Sequence, residues 1–528
     1  MKKAAALVVL SLVTMLPAMA AAQSYVPELG PSPPQDAVQL YPGGVEKAVA
    51  ALSDIVKKVK EASDVPGFAV AVVQGGKMIF DEGYGLRDNR DDTSRVSSTT
   101  IFQVASVSKS ISATVAAIAM TKDHSFDWDT AVGKVWDGFR LNLDYVSGNA
   151  TIGDFFAHRS GMPMAAGDEL EDLGFQRKQI VGGLWMVPLD PFRISYHYAN
   201  FGTTIGAEAV AHAEKQPWEP LAKSLLFDPL GMRSSSYRHE DFMAAGKNRA
   251  LLHARVAENV FEPLYDRDPD QQAPAGGVSS SVQDLAKWMI LLLGDGTYNG
   301  QPMIDPKILQ PAITPQSVTY RGETPDTRAS SYGYGFNVGV NANGRTTMGH
   351  SGGFLLGAGT TFQILPSADV GIVVLTNGSP VGAAEAVAAS FMDIVQYGQI
   401  TRDWYPYMKP RFMGYYKPVG DLAGKVKPTN PAKARSPSFY EGQYTSNYFD
   451  TATVRADGDK LMLELGPKPM QFTLEHWDGD TYALTPRGEN APTGSLSSVK
   501  FVGSPGGIRA RVMTVDYLNE NELGHFQR

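Results

Sequence analysis

Val45, Ala48, Val49, Leu52, Ile55, Val56 and Val59 recur at helical spacing and predict an amphipathic helix over Val45–Ala62. Directly after it, Gly67–Val73 (GFAVAVV) is a β-type run. Gln74–Lys77 (QGGK) reads as a tight turn and Met78–Tyr84 as the returning strand. An Ala-rich helical run begins near Ser106 and continues through Ile111–Met120. Mixed helices and loops follow to about residue 300, and among them Ser281 precedes a capped helix over Val282–Leu293. From Tyr332 to Asn377 the pattern turns to β, with GYGFNVGV, RTTMGH, GTTFQILP and VGIVVLTN separated by Gly, Asn and Pro. Ala383–Val395 then reads as a closing helix. Helix and strands, a helical middle, then strands and a helix predict an α/β (α+β) fold whose single mixed sheet is completed by both ends of the domain.

Beyond this domain, Trp404–Pro437 is rich in Pro, Lys, Gly and aromatic residues and reads as a linker that packs in part on what precedes it. Phe439–Arg528 carries the short β-like runs ATVRA, KLMLEL, FTLEHW, TYALTP, SSVKFV and ARVMTV, which predict a small antiparallel barrel or sandwich. The expected division is 1–22 as a signal peptide, 40–400 as a first domain, 401–437 as a linker and 438–528 as a β-rich second domain.

Composition narrows the class. A chain of 528 residues with 43% hydrophobic and 19% charged residues can bury a core in two or three domains. The net charge of −8 comes without clustered Lys and Arg, which excludes nucleic acid as an expected partner. Lys2 and Lys3, the apolar run Ala4–Leu16 and the small residues Ala18–Ala22 form a signal-peptide layout. Cleavage is expected near Ala20 to Ala22, with export to the periplasm or beyond and no transmembrane segment left after removal. The absence of cysteine excludes disulfides, a thiol nucleophile and thiolate metal sites.

The sharpest chemical signal is Ser106-Val107-Ser108-Lys109. At i and i+3 on one helix face, a serine at the first turn has a lysine beside it. A serine hydroxyl needs a base, and a desolvated lysine with a lowered pKa can serve. Tyr198-Ala199-Asn200 adds a tyrosine able to shuttle a proton if cations lower its pKa, and an amide able to orient the lysine and a substrate carbonyl. Gly349-His350-Ser351-Gly352-Gly353 lies between two strand-like runs. Its small residues would let a substrate backbone approach a strand edge, and the Gly353 and Ser106 N–H groups could form an oxyanion hole.

Ser-x-x-Lys, Tyr-x-Asn and His-x-Gly in this order resemble the serine β-lactamase and penicillin-binding-protein superfamily, and the wide spacings resemble its class C branch with D-aminopeptidase and esterase members. HRSGMP (158–163), FDPLGM (227–232) and AGGVSS (275–280) extend the resemblance over roughly residues 40 to 400. It implies Ser106 as the acylated nucleophile, Lys109 as the residue that helps deprotonate it, Tyr198 as acid/base and Asn200 as substrate-orienting amide. Ser351, Gly352 and Gly353 would line the substrate strand. His350 stands where many relatives carry a lysine. A shorter, mostly neutral histidine there favours peptidase, amidase or esterase chemistry over efficient β-lactam hydrolysis. The last ninety or so residues resemble a lipocalin-like module of exported relatives.

Gly349–Gly353 also satisfies G-x-S-x-G, the nucleophile elbow of α/β-hydrolases. That reading would make Ser351 the nucleophile, with Asp369 and His476 or His525 as partners, but it requires a helix directly after the serine, and Phe354–Leu365 is β-like. The nine histidines show no metal-binding spacing, and Asp88, Asp91 and Asp92 read as solvated loop residues, so no metal or other cofactor is expected. The expected function is an exported serine hydrolase that cleaves amide or peptide bonds of a small-molecule or peptide substrate, with D-residue-containing peptides or amides as the expected class. The alternatives are a carboxylesterase or weak β-lactamase on the same site, and a non-catalytic peptidoglycan- or β-lactam-binding protein. The sequence assigns no oligomeric state.

Overall fold

In the computed structural model, which describes residues 37–458 and 460–528, the helix α1 (Gly44–Ser63) buries Val45, Ala48, Leu52, Ile55, Val56 and Val59 along one stripe. The hairpin β1 (Gly67–Gln74) and β2 (Lys77–Gly85) follows it, then α2 (Val107–Lys122), α3 (Asp168–Asp172), α4 (Asn200–Ala213) and α5 (Val282–Leu293). Ser281 caps α5 by accepting the Asp284 N–H. The strands β3 (Ser317–Tyr320), β4 (Ser330–Tyr332), β5 (Asn337–Val340), β6 (Thr346–Phe354), β7 (Ala358–Leu365) and β8 (Val370–Thr376) lead into α6 (Ala383–Tyr397) and α7 (Trp404–Phe412).

The eight strands form one antiparallel sheet in the order β2-β1-β8-β7-β6-β5-β4-β3, so the N-terminal hairpin joins the C-terminal strands through β1 and β8. Phe68, Val70, Val72, Ile372 and Val374 face α1 and α6, while Ala69, Ala71, Val73, Val373 and Leu375 face α2 and α5. Burial on both faces is why β1 and β8 read as continuous apolar runs instead of alternating ones. The edge strand β3 and its neighbour β4, more exposed and partly polar, extend the sheet beyond the β region expected from the sequence.

Fourteen of the sixteen residues of α2, Val107 to Met120, are buried, which requires small side chains on every face and explains its Ala and Ser content. Its hydroxyls are satisfied: Ser112 donates to Pro274 O at 2.6 Å, and Thr114 accepts the Trp288 indole N–H at 3.0 Å.

The C-terminal strands Gly442–Ser446, Asp450–Asp457, Lys460–Leu465, Met470–Asp478, Thr481–Leu484, Ser497–Gly503, Ala510–Val515 and His525–Gln527 close into an eight-stranded antiparallel barrel. It packs on the region around α3. Asn490 donates to Asp172 at 3.1 Å, Glu489 accepts the Leu355 N–H, and Tyr448 lies under Gly183. The expected signal peptide falls outside the described residues. Among the described residues no helix is long and apolar enough to cross a membrane.

Candidate active site

The chain enters α2 through Ala105, whose φ of +48° is left-handed. For a residue with a Cβ this costs roughly 1–2 kcal/mol and persists only where the surroundings impose it. Ala105 is fully buried against Leu252, Phe354 and Ala358. The turn sets Ser106 at the N-cap of α2, where its side chain makes no capping hydrogen bond to the helix and remains available for chemistry.

Lys109, one turn on, is fully buried, with its Nζ 3.1 Å from Ser106 Oγ, 2.8 Å from Asn200 Oδ1 and 3.0 Å from Ala275 O. Burial lowers its pKa to about 7, opposed by the charge of Asp168. Two of the three neighbours are carbonyl oxygens, which can only accept. A neutral Lys109 therefore points its two protons at Asn200 and Ala275 and turns its lone pair to the Ser106 hydroxyl. That is the arrangement of a general base.

Tyr198 lies beneath the ammonium, 4.5 Å from Nζ to ring centroid. Burial raises its pKa well above the ordinary tyrosine value, against the hydrogen bond with Ser106, which acts the other way. The sequence made Tyr198 a proton shuttle on the condition that cations lower its pKa; desolvation moves it the other way, and Tyr198 rests as a protonated donor. His158, itself left-handed at φ +53°, packs on its ring at 4.5 Å and accepts the Ala199 N–H at 3.2 Å.

The strand β6 meets this group through glycine. A Cβ on Gly352 would collide with Val104 O and stand 2.9 Å from Ser106 N. Pairing between β5 and β6 ends at Gly349, so beyond it β6 has an edge free of β5, while Gly353 stays paired to Gly359 of β7. His350 points to the Ser106 side and is buried. Its Nδ1 is 2.5 Å from the Ser351 carbonyl, an obligate acceptor, and must carry the proton. Nε2 therefore accepts the Tyr332 hydroxyl at 2.7 Å. Burial and the nearby Lys109 hold the His350 pKa down to about 3. Ser351 points the other way, against Thr361 at 3.2 Å and towards Glu385 of α6, so only its backbone faces the Ser106 side. It sits within a strand followed by another strand, which removes the nucleophile-elbow reading.

The structure thus gathers Ser106, Lys109, Tyr198, Asn200, His350, Gly352 and Gly353 at one place. Three contributors escaped the sequence reading. Asp168 accepts from Asn200 Nδ2 at 3.0 Å and fixes which way that amide faces. Ala275 O, in the AGGVSS stretch, holds Lys109. Tyr332 holds His350. Asp168 sits in an acidic run, DELED, with no signature to distinguish it from solvated surface.

Comparison with known proteins gives a family model described as Beta-lactamase that matches residues 52–396. The chain belongs to the beta-lactamase family. Residues 425–516 match a second model, a domain of unknown function. Among curated relatives of this beta-lactamase-fold hydrolase, an unguisins hydrolase of Aspergillus campestris is 25% identical, covering 80% of this chain and 81% of its own. A beta-lactamase of Pseudomonas fluorescens is 23% identical over 63% of this chain and 94% of its own. An octameric penicillin-binding protein homologue from Pyrococcus abyssi superposes with a TM-score of 0.57 at 17% identity, covering 91% of this chain and all of that one. A class C beta lactamase from Rhodobacter sphaeroides does so at 0.53 and 21% identity, over 65% and 98%. At these identities the solved structures establish the fold, and the family membership makes the chain a serine hydrolase of this type.

Proposed function

We propose that the protein is an exported hydrolase that cleaves amide or peptide bonds, with D-residue-containing peptides or amides as the substrate class, through an acyl-enzyme on Ser106. The observation that carries this reading is the Lys109 environment, in which two carbonyl acceptors leave the amine lone pair for Ser106. In the first step Lys109 takes the Ser106 proton while Oγ bonds to the substrate carbonyl carbon. The N–H groups of Ser106 and Gly353 receive the negative charge that develops on oxygen. As the carbon–nitrogen bond breaks, Tyr198 gives its proton to the leaving amine and is replenished from Lys109. Water, deprotonated through the same residues, then releases the acid and restores Ser106.

His350 supports the choice of substrate class. Uncharged and engaged at both ring nitrogens, it offers no cation to a substrate carboxylate of the kind a β-lactam presents. Two relatives named as hydrolases align over most of the chain, which agrees with a hydrolytic outcome. Turnover of a panel of D-amino-acid amides, short peptides, p-nitrophenyl esters and a chromogenic cephalosporin by the wild type, Ser106→Ala and Ser351→Ala tests the reading. Amide hydrolysis that disappears in Ser106→Ala and largely survives in Ser351→Ala is expected. Hydrolysis of esters or the cephalosporin alone would overturn the substrate class, and activity surviving in Ser106→Ala would overturn the nucleophile.

A further inference from the structure

The helical turn that follows α7, Met413–Tyr416, brings the segment between the sheet and the barrel up to the catalytic group. Tyr416 is its anchor. The Tyr416 hydroxyl donates to Pro380 O at 2.9 Å, and the Arg255 guanidinium lies 5.0 Å from its ring centroid. Pro380 in turn lies against β6, where a Cβ on Gly353 would stand 3.0 Å from its Cγ. Tyr415, the residue before this anchor, is 62% exposed. A single exposed aromatic residue needs no explanation. The place where this one is held does.

Tyr196 approaches the same place from the other end of the catalytic stretch of β6. Its ring centroid is 5.6 Å from that of His158 and 5.7 Å from that of Tyr332, the residue that donates to His350. Tyr196 itself is half-buried. It is thus backed at the His350 end of β6, and Tyr415 at the Gly353 end. Each phenol acts on the groups between them. Burial and then Tyr415 raise the Tyr196 pKa. Burial, then Tyr196 and Tyr415, raise that of Tyr198, whose hydroxyl bonds with Ser106. Tyr332, behind Tyr196, is raised by burial, Tyr198 and Tyr196 and not by Tyr415. Tyr415 therefore stands near Tyr198 on the side away from Tyr332, and the two phenols flank the approach to Ser106.

We propose that Tyr196 and Tyr415 form an aromatic clamp on the substrate, so that the hydrolase selects amides and peptides that carry an aromatic ring beside the scissile bond. The inference rests on the Ser106 acyl-enzyme reading and narrows its substrate class. A phenol ring favours an aromatic partner over an aliphatic one of equal size, because the ring quadrupoles attract in edge-to-face and offset arrangements. Both rings are held before substrate arrives, Tyr196 by its packing on His158 and Tyr332 and Tyr415 by the anchored Tyr416 beside it, so that little side-chain freedom is lost on binding. The segment that leads to the barrel then supplies one wall of the substrate site.

The test needs no knowledge of the natural substrate. Two series of alkyl fluorophosphonates, matched in spacer length, end in a phenyl or in a cyclohexyl ring, which are alike in size and apolarity and differ in the π-system. Rates of Ser106 modification are followed by intact mass on the full chain. The phenyl-to-cyclohexyl ratio is taken within each protein, so that a general loss of reactivity cancels. At one spacer length the phenyl probe should react roughly two- to tenfold faster with the wild type. Tyr415→Ala, at an exposed position that does not threaten folding, should remove this preference, and Tyr196→Leu should lower it. Tyr415→Phe, which keeps the ring, should retain it. Equal rates at every spacer length, or a ratio unmoved by Tyr415→Ala, would overturn the clamp while leaving Ser106 as nucleophile. Loss of the preference in Tyr415→Phe would overturn it too, by assigning selection to the hydroxyl. Failure of both series to modify Ser106 would overturn the nucleophile and the clamp with it.

Discussion

Lys109 Nζ lies 3.1 Å from Ser106 Oγ, one helical turn away, with its pKa brought down to about 7 by burial. A base acts in its deprotonated form, so kcat/KM should climb with pH as Lys109 loses its proton and level off above about pH 7. Lys109→Arg, charged at every accessible pH, should lower kcat/KM by a factor of roughly 10²–10⁴, the usual worth of a positioned base. A pH–rate profile of the two proteins checks both statements.

Gly352 has no room for a side chain. A Cβ would meet Val104 O, Thr360 Oγ1 and Ser106 N, and the two backbone atoms cannot rotate away. Gly352→Ala should cost about 1–3 kcal/mol in urea unfolding, as overpacking does, and should lower turnover by more than Gly339→Ala, where a Cβ meets nothing within 4 Å.

Tyr332 gives its only hydroxyl proton to His350 inside the protein. Tyr332→Phe would leave the Nε2 lone pair buried without a donor, at a cost of about 1–3 kcal/mol. The measurement is again urea unfolding, with unchanged stability as the contrary result.

Glu489, on the barrel, enters the other domain and accepts the Leu355 N–H. Burial raises its pKa to about 8 from an ordinary 4.5, outweighing Arg267, whose Nε lies 4.0 Å away while its other end pairs with Glu171 at 2.7 Å. The folded state then holds a proton that the unfolded chain has lost between about pH 4.5 and 8. In that window Glu489 makes stability fall as pH rises, by at most about 1.4 kcal/mol per pH unit. Glu489→Gln lacks this contribution. The melting temperature of the wild type relative to the variant should therefore decline from pH 5 to pH 8; a constant difference would show that Glu489 ionises normally.

The sequence showed the framework where one physical cause dominated. The amphipathic stripe of α1, the doubly buried runs of β1 and β8 and the Ser281 cap of α5 each left a local signature. The strands β3 and β4 left none, because short, partly exposed strands at the margin of the sheet have no apolar pattern to read. At the site, Ser106 and Lys109 were legible because helical spacing alone brings them together, and Tyr198 and Asn200 because two motifs in order are specific. Asp168 was not, since its partner lies 32 residues away and only tertiary packing turns it inward. The direction of the Tyr198 pKa was equally hidden, because it depends on how deeply the ring is buried.

The central claim is that Ser106 is the nucleophile. Intact-mass spectrometry of the protein after treatment with a fluorophosphonate, followed by peptide mapping, tests it most directly. The account predicts a single adduct on Ser106, absent from Ser106→Ala and retained in Ser351→Ala. An adduct on Ser351, or a folded protein that takes up none, would contradict it.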